Sequence, residues 1–180
     1  MSRDSILHQR GFTIIEILLV IVIMGVFLTL AAPSFVTFTS SQKVKTASFD
    51  VYAAMMLARS EAIKRRKCIS VIPATGTDWA TGWKVQEVLD TATCVPAPAT
   101  DPVVRSQDSL SGVVMTGATK LIYRLDGRLY GNGIVGLLIK PQTADSSIKN
   151  RCVRVDQTGL PKTTSVDDTT CICTLTAMCS

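Results

Sequence analysis

The chain of 180 residues contains a single histidine, His8, close to its amino terminus. Imidazole is the commonest general base, the partner of nucleophilic serine and a frequent zinc ligand. The sequence also lacks a glycine-rich loop followed by Lys-Ser or Lys-Thr, the pattern that cradles nucleotide phosphates. These absences argue against an enzyme and predict neither a metal nor another cofactor. We therefore expect a structural or binding protein.

Charge is absent from one long stretch, because no charged residue occurs between Glu16 and Lys43. As a helix, residues 12–35 would rise about 36 Å, enough to cross a hydrocarbon core of about 30 Å. Arg3 and Arg10 precede this stretch, so the amino-terminal leader should face the cytoplasm and the remainder the opposite side. The sequence predicts a single-pass membrane anchor.

Glu16 lies inside the apolar run. A carboxylate at membrane depth is energetically costly and usually marks a functional position. The alternative is an ordinary anchor with an accidental glutamate. The residues around Glu16 favour the interpretation that this glutamate is functional.

The segment Arg10-Gly11-Phe12-Thr13-Ile14-Ile15-Glu16 resembles the class III signal of type IV pilins and type II secretion pseudopilins. The resemblance implies that prepilin peptidase cleaves between Gly11 and Phe12 and that Phe12 is then N-methylated. It also implies that Glu16 pairs with the amino terminus of a neighbouring subunit. Such a pair would relieve the cost of an isolated charge in an apolar filament core.

The same resemblance assigns roles to two further residues of the anchor. Gly25 and Pro33 match positions where the helices of this family loosen or kink, and a proline inside a helix removes a hydrogen bond. We therefore expect a cleaved leader (1–11), a transmembrane and assembly helix (12–35), an amphipathic helix (36–67) and a periplasmic β-domain (68–180).

The amphipathic helix is predicted from apolar residues at roughly helical spacing. These residues, which we expect on the buried face, are Phe38, Val44, Phe49, Tyr52, Met56 and Ile63. The basic run Lys64–Lys67 lies at the expected carboxyl end, where cations complement the helix dipole. Helix termination is the favoured interpretation of this run, and ligand binding is the alternative.

Two further motifs resemble a smaller group of proteins within this family. The Ala-Arg-Ser-Glu-Ala stretch within Met56–Lys64, and Trp79 followed by Gly82-Trp83, are similar to the FimT/FimU minor pilins and the H-type minor pseudopilin of type II secretion. The implied fold class is α+β: the type IV pilin fold, in which a long amino-terminal helix packs on a carboxyl-terminal antiparallel β-domain.

The second half of the chain reads as short strands separated by turns. Strands are expected at Cys68–Ile72, Trp83–Leu89, Val113–Met115, Leu121–Leu125, Ile134–Ile139 and Cys152–Val155. A surface loop rich in threonine, alanine and proline is expected between Asp90 and Pro102.

Six cysteines all follow the anchor. In an oxidising compartment they are expected to form disulfides rather than a metal cluster. The sequence does not choose among the possible pairings of Cys68, Cys94, Cys152, Cys171, Cys173 and Cys179. A tail beginning at Val166 carries the last three cysteines, and we expect a disulfide to link this tail to the domain.

DNA binding is a further hypothesis, because some FimT-like proteins carry a Gly-Arg-x-Arg turn implicated in DNA capture. The corresponding turn here is Gly159-Leu160-Pro161-Lys162, which lacks both arginines and leaves Lys162 as its only cation. Phosphate binding needs several cations on one face. The other candidates are Arg124, Arg128, Arg151 and Arg154.

Three functions follow. The first is a minor pilin that is held in the inner membrane, with its β-domain in the periplasm, and joins a type IV pilus at or near the tip to help prime assembly. The second is the H-type pseudopilin of a type II secretion system, and the third is a DNA-binding minor pilin. The expected partners are other minor pilins, the major pilin or pseudopilins, prepilin peptidase, the inner-membrane assembly platform and the bilayer, with DNA as a further candidate.

Overall fold

The computed structural model describes residues 12–90, 92–131, 133–166 and 171, without the side chains of residues 30–33. The chain divides into two compact units, Met1–Phe38 and Thr39–Ser180. Its elements in chain order are α1 (Ile14–Arg65), β1 (Ile69–Thr75), β2 (Asp78–Glu87), β3 (Val103–Gln107), β4 (Val113–Gly117), β5 (Leu121–Tyr123), β6 (Val135–Pro141), β7 (Asn150–Val155) and β8 (Pro161–Val166).

The strands form two antiparallel four-stranded sheets. The first sheet has the order β3-β2-β1-β5 and the second β4-β6-β7-β8. Each strand alternates between a face toward the main core and a face away from it, as a pleated strand must. A long helix with antiparallel sheets is the predicted α+β architecture, so the predicted fold class is confirmed.

The main core lies between α1 and the inner faces of the sheets. The helix contributes Val44, Ala47, Val51, Ala54, Met55, Ala58 and Ala62 to it, and all of these side chains are buried. The sheets contribute the largest side chains, among them Trp79, Trp83 and Tyr123.

The predicted buried face of the helix was largely wrong. Val44 is buried and Tyr52 is half-buried, but Phe38, Phe49, Met56 and Ile63 are exposed.

The reason is that the side chains of the sheets and those of the helix must together fill the core. Interiors are packed to nearly constant density. Because the sheets supply two tryptophans and a tyrosine, the helix face that meets them is rich in alanine, with four alanines among its seven buried residues. Phe49, Met56 and Ile63 lie on the side of α1 away from the sheets, while Met55 is the one large helical side chain in the core.

The β-domain also differs from prediction in its strands. Strand β1 continues through Pro73 to Thr75, and β2 begins at Asp78, because Gly76-Thr77 closes a two-residue hairpin with Gly76 at φ +56°. Two edge strands, β3 and β8, were not predicted at all.

Lys162 was predicted in a turn and instead lies on β8. The strand begins at Pro161, which pairs with Val155, and Lys162 pairs with Arg154. A proline lacks the N–H needed for sheet hydrogen bonds, but it is tolerated at the first residue of an edge strand. The turn that precedes β8 therefore ends at Leu160.

Candidate assembly site

The amino terminus of α1 is built by a capping motif. The backbone N–H of Glu16 donates to the Thr13 hydroxyl oxygen at 3.3 Å, and the helix begins at Ile14. Thr13-Ile14-Ile15-Glu16 is thus a Thr-x-x-Glu capping sequence, in which the threonine satisfies a backbone donor of the first turn. Glu16 also lies where a negative charge is favoured by the helix dipole.

Glu16 is the only charged residue among the described residues 12–42, and its side chain is exposed together with the apolar side chains around it. Ile14, Ile15 and Leu18 each expose more than half of their surface. A carboxylate held in a regular first turn and surrounded by exposed aliphatic groups is accessible to another chain.

The described residues contain no single helix that meets the length and composition expected of a membrane span. The bent pair of segments Ile14–Thr29 and Ser34–Arg65 meets that test together, by length and composition only.

The other predicted residues of the anchor are placed as follows. Gly11 lies outside the described residues, while Phe12 is 80% exposed just before the helix. Gly25 is helical, and a methyl group added there would meet no atom within 4 Å. The backbone at Pro33 is helical, and its side chain lies outside the description. The cleavage, methylation and kinking roles remain predictions.

The carboxyl end of α1 is closed by the basic run. Arg66 adopts a left-handed conformation (φ 54°), and the N–H of Lys67 donates to the carbonyl of Ala62 at 3.3 Å. This is the geometry of a Schellman cap. The helix therefore ends at Arg65, two residues before the predicted end, and the preferred interpretation of the basic run agrees with this geometry.

Glu87, at the end of β2, ties that helix terminus to the first sheet. Its carboxylate accepts hydrogen bonds from Lys67 Nζ and, at 2.9 Å, from Arg65 Nη1, and its side chain is 12% exposed. These two cations, Lys67 most strongly, hold the pKa of Glu87 below its ordinary value of 4.5. Sequence reasoning missed Glu87, although a carboxylate within the predicted strand Trp83–Leu89, in a chain whose helix ends in four cations, is a usable signal.

Two disulfides hold segments against the outer faces of the sheets. Cys68–Cys94 joins the start of the β-domain to the loop after β2, and Cys152–Cys171 joins β7 to the tail. Cys68 and Cys94 pack with Val88 and Ile122 in a small cluster separate from the main core. The predicted stapling of the tail is present at Cys171, while Cys173 and Cys179 lie outside the described residues.

The candidate DNA-binding cations gather at one end of the β-domain. The N–H of Arg124 donates to the carbonyl of Arg128 at 2.8 Å, so these two residues close one turn. That turn contacts the β7–β8 turn, because a methyl group added at Gly159 would lie 2.0 Å from the carbonyl oxygen of Gly127. Arg154 and Lys162 are cross-strand partners beside the second turn.

Carboxylates accompany these cations. Asp156 lies 3.9 Å from the Lys162 ammonium, and Asp126 accepts the N–H of Arg128 at 3.1 Å. Arg151 is three residues from Arg154 on β7, so alternation puts it on the other face of the sheet. The structure thus brings four of the five cations to one end but mixes them with negative charge. Among the described residues, no group of three or more His, Cys, Asp or Glu is arranged to hold a metal ion.

Comparison with protein families gives two matches. Residues 47–159 match the family described as type II transport protein GspH. Residues 6–32 match the prokaryotic N-terminal methylation motif. The first match covers the second part of α1 and strands β1 to β7, and the second covers the anchor.

Two curated fimbrial proteins of Pseudomonas aeruginosa are similar in sequence. One is 25% identical over 79% of this chain and 84% of its own length. The other is 28% identical over 46% of this chain and 53% of its own length.

Solved structures support the fold. The type IV minor pilin FimU of Pseudomonas aeruginosa superposes with a TM-score of 0.58 at 19% identity, covering 74% of this chain and 98% of FimU. The minor pseudopilin EpsH of the Vibrio cholerae type 2 secretion system gives a TM-score of 0.50 at 13% identity, covering 68% and 97%. At these identities the likeness establishes the pilin fold.

The capped anchor helix and the antiparallel β-domain together define a structural subunit of the pilin class, in which members assemble with other pilins or pseudopilins. The chain belongs to the GspH family. The predicted resemblance to FimT/FimU-like minor pilins is confirmed, and the chain is a minor pilin or pseudopilin of the type IV pilus and type II secretion families. The methylation motif and the pilin fold make it a membrane-anchored, pilus-associated protein.

Proposed function

We propose that this chain is a minor pilin that primes a type IV pilus. Prepilin peptidase removes residues 1–11 and methylates Phe12, and the processed subunit waits in the inner membrane with its β-domain in the periplasm. It then joins other minor pilins near the pilus tip, using the inner-membrane assembly platform, and receives the major pilin. Twitching and adhesion would depend on it through the pilus.

The observation that carries this proposal is the exposed carboxylate of Glu16 in the capped first turn of a helix that is otherwise free of charge up to Lys43. A buried carboxylate with no partner is strongly destabilising, and a neighbouring ammonium with good geometry offsets that penalty. The methylated amino terminus of a second subunit supplies such an ammonium. Glu16 would then act only upon assembly, as a priming subunit requires.

A second candidate is the H-type minor pseudopilin of a type II secretion system. The observation in its favour is the family description matched by residues 47–159. The pilus is preferred because the fimbrial relative aligns with 84% of its length. The physics of the anchor is identical in the two machines.

DNA binding by a competence pilus is the third candidate. It is supported by the placement of Arg154 beside Lys162 next to the turn of Arg124 and Arg128. It is weakened by the carboxylate of Asp156 beside Lys162, since each nearby negative charge repels a phosphate.

The test is a deletion strain complemented with the wild-type gene and scored in parallel for surface pili and twitching, for secreted exoproteins and for DNA uptake. Loss of pili and twitching with intact secretion supports the priming role. Lost secretion with intact pili contradicts it and assigns the chain to the secretion machine. Lost DNA uptake with normal pili would favour the third candidate.

A further inference from the structure

A groove crosses the outer face of the second sheet beside the loop that joins β6 to β7. Its floor is a row of residues at opposed positions on the four adjacent strands: Val114 on β4, Lys140 on β6, Asn150 on β7 and Val166 on β8. Their strand neighbours Val113 and Ile139 lie in the main core, so alternation turns the side chains of the floor away from that core. The groove is therefore on the face of the sheet that α1 does not cover.

The groove has the size and lining of a small-molecule site. Its volume is about 590 Å³, within the range of about 300–1,000 Å³ of ligand pockets, which are mainly apolar with a few placed polar groups. Most of the lining surface here is apolar too. The polar groups among the described lining residues are two side-chain amides, one hydroxyl, two ammonium groups and one carboxylate.

One wall of the groove is the β6–β7 loop, which is held in place at both ends. The N–H of Gln142 donates to the carbonyl of Gly112 at 3.1 Å, and Ile148 is buried in the main core. Between them, Asp145 Oδ1 accepts the N–H and the hydroxyl of Ser147 at 2.9 and 2.6 Å. A wall that is ordered before binding lowers the entropy cost of binding a ligand.

On the opposite side, the exposed floor ends at the disulfide-linked tail. Leu138 and Cys152, the next outward-facing pair on β6 and β7, pack with Cys171 in an apolar cluster. Val166 packs against the same cluster. The Cys152–Cys171 disulfide therefore holds the tail beside the groove.

Lys140 gives the floor a positive charge. Its side chain is half-buried, and it forms no ion pair within the part of the chain that the structure describes. The second ammonium, of Lys149, and the carboxylate of Asp145 belong to the loop wall, so the described lining carries one net positive charge. Because apolar surface around a charge strengthens its attraction to an opposite charge, Lys140 favours a ligand with a single negative group.

The position on a sheet face limits how a ligand can be recognised. The backbone groups of β6 and β7 are paired with strands on both sides, so an extended peptide cannot add there as a further strand. A phosphate is held best by several cations or by the fork of an arginine, and the described lining contains no arginine. Recognition therefore depends on one ammonium together with side-chain amides and a hydroxyl.

Amide and hydroxyl groups can each both donate and accept hydrogen bonds, as the hydroxyl groups of a sugar do. A ligand with one carboxylate, several hydroxyl groups and an apolar C–H face matches the groove in charge, hydrogen bonding and surface. We propose that this groove binds an acidic sugar, with its carboxylate paired with Lys140, its hydroxyl groups bonded to Asn150 and Gln142, and its C–H face on Val114 and Val166.

Binding of the sugar does not depend on the proposed function. On a subunit near a pilus tip, the groove would attach the pilus to a surface coated with uronic or sialic acids. The two sugars share the carboxylate and the hydroxyl groups, so the experiment uses both.

The first test titrates the full-length protein in detergent, with methyl-labelled valine, and follows the methyl resonances by NMR. The probes are digalacturonate and N-acetylneuraminate, with a neutral galactose disaccharide and an acetylated alanine tripeptide with a free carboxylate as controls. We expect at least one acidic sugar to shift the resonances of Val114 and Val166 with a dissociation constant of about 1 mM. Val103, which is 51% exposed on β3 of the other sheet, should not respond.

The neutral disaccharide should bind at least about fivefold more weakly than the better acidic sugar, because it lacks the charge-assisted contact. The proposal would be overturned by the absence of a saturable shift with both acidic sugars, or by equal binding of the neutral one. Equal binding of the tripeptide would also overturn it, because the groove would then recognise a carboxylate and not a sugar.

The second test compares Lys140→Gln with Lys84→Gln. Lys84 is also half-buried on a strand, between Trp83 and Val85 of the main core, so it faces outward from the first sheet. Both changes remove one positive charge, but only the first removes it from the groove. We expect Lys140→Gln to weaken binding of the acidic sugar at least about fivefold and Lys84→Gln to leave it within about twofold of wild type. Equal affinities of the two variants would contradict the proposal.

Thermal unfolding of both variants in detergent checks their folds, and the comparison of acidic with neutral sugar on wild type decides the matter if either variant is unfolded. The outcome is separate from that of the proposed function, since the purified protein needs no pilus. If deletion abolishes secretion and leaves pili intact while the acidic sugar binds, the priming role fails and the groove stands. If deletion abolishes pili and no sugar binds, the priming role stands and the groove fails.

Discussion

At the scale of single residues, Glu16 has two roles that a substitution can separate. Its position three residues after Thr13 suits a capping box, and its charge suits pairing with another subunit. Glutamine serves in a capping box as well as glutamate does, but it carries no charge. Alanine removes both properties.

We expect Glu16→Gln and Glu16→Ala to be cleaved normally and to enter filaments at least about tenfold less than wild type. The reason is that an ammonium left without its carboxylate in an apolar core is strongly destabilising, by about 3–5 kcal/mol. Immunoblots of membranes and sheared filaments measure cleavage and incorporation. Normal incorporation of the glutamine variant would show that helix capping, and not charge, is what Glu16 supplies.

Gly11 tests the assignment of the leader. We expect Gly11→Val to block leader removal almost completely, because a branched side chain beside the scissile bond would crowd a peptidase site that accepts glycine. The unprocessed chain is recognised by its larger mass. The matched control is Gly25→Val in the same segment, which should be cleaved like wild type; unchanged cleavage of Gly11→Val would contradict the class III assignment.

At the scale of elements, the junction of α1 with β2 depends on the ionised state of Glu87. The pKa of Glu87 is lowered by Lys67 and Arg65, so its contribution to stability is present above the ordinary value of 4.5 and is lost as the pH falls through the folded-state pKa. We expect wild type to lose stability relative to Glu87→Gln as the pH is lowered from about 6 to 3. Urea unfolding of the full chain in detergent at several pH values measures this, and a pH-independent difference would exclude the charge effect.

Strand β2 requires a glycine at the position where its backbone comes very close to the backbone at the end of β3. Gly82 has φ +96°, and a methyl group there would lie 2.2 Å from the carbonyl oxygen of Gln107. We expect Gly82→Ala to lower the free energy of unfolding by about 2 kcal/mol or more, through backbone strain and a clash with backbone that has little freedom to move.

Gly76 is the matched control for Gly82. It also has a positive φ, of +56°, but a methyl group there would meet nothing within 4 Å. Gly76→Ala should therefore lower the free energy of unfolding by only about 1 kcal/mol, the cost of the left-handed conformation alone. Equal losses for the two variants in urea unfolding would contradict the steric account.

At the scale of the whole molecule, the two disulfides perform the same task on the two sheets. Cys68–Cys94 and Cys152–Cys171 each hold a segment over an outer sheet face, where it closes a small apolar cluster of its own. The domain is thus layered, with α1 on the inner faces and cross-linked segments on the outer ones.

We expect reduction with dithiothreitol to lower the melting temperature of the full chain in detergent by roughly 6–12 °C for each disulfide that is lost. Loops of 26 and 19 residues correspond to about 3 kcal/mol each in the chain-entropy account. Double cysteine-to-serine variants of each pair separate the two contributions. A melting temperature that does not respond to reduction would contradict the structural role.

The sequence determined the elements that depend on local chemistry. The lone Glu16 in a charge-free run, the capping threonine and the cation cluster at the helix end each act within a few residues of the chain. Six strands were located to within a few residues, because runs of β-branched and aromatic residues bounded by turn residues are also a local property. The cleavage role of Gly11 and the assembly role of Glu16 were inferred from a motif of seven adjacent residues.

Tertiary structure alone decided which side of α1 is buried. Phe49, Met56 and Ile63 have the spacing of a core face, yet the sheets bring Trp79, Trp83 and Tyr123, and the helix face that meets them is the other one, which is rich in alanine. Edge strand β8, the pairing of Lys162 with Arg154 and the partners of the cysteines likewise depend on segments far apart in the chain. Burial and pairing depend on the volume and hydrogen bonds that the rest of the molecule supplies, so a local pattern shows that a helix has two faces without showing which one the protein covers.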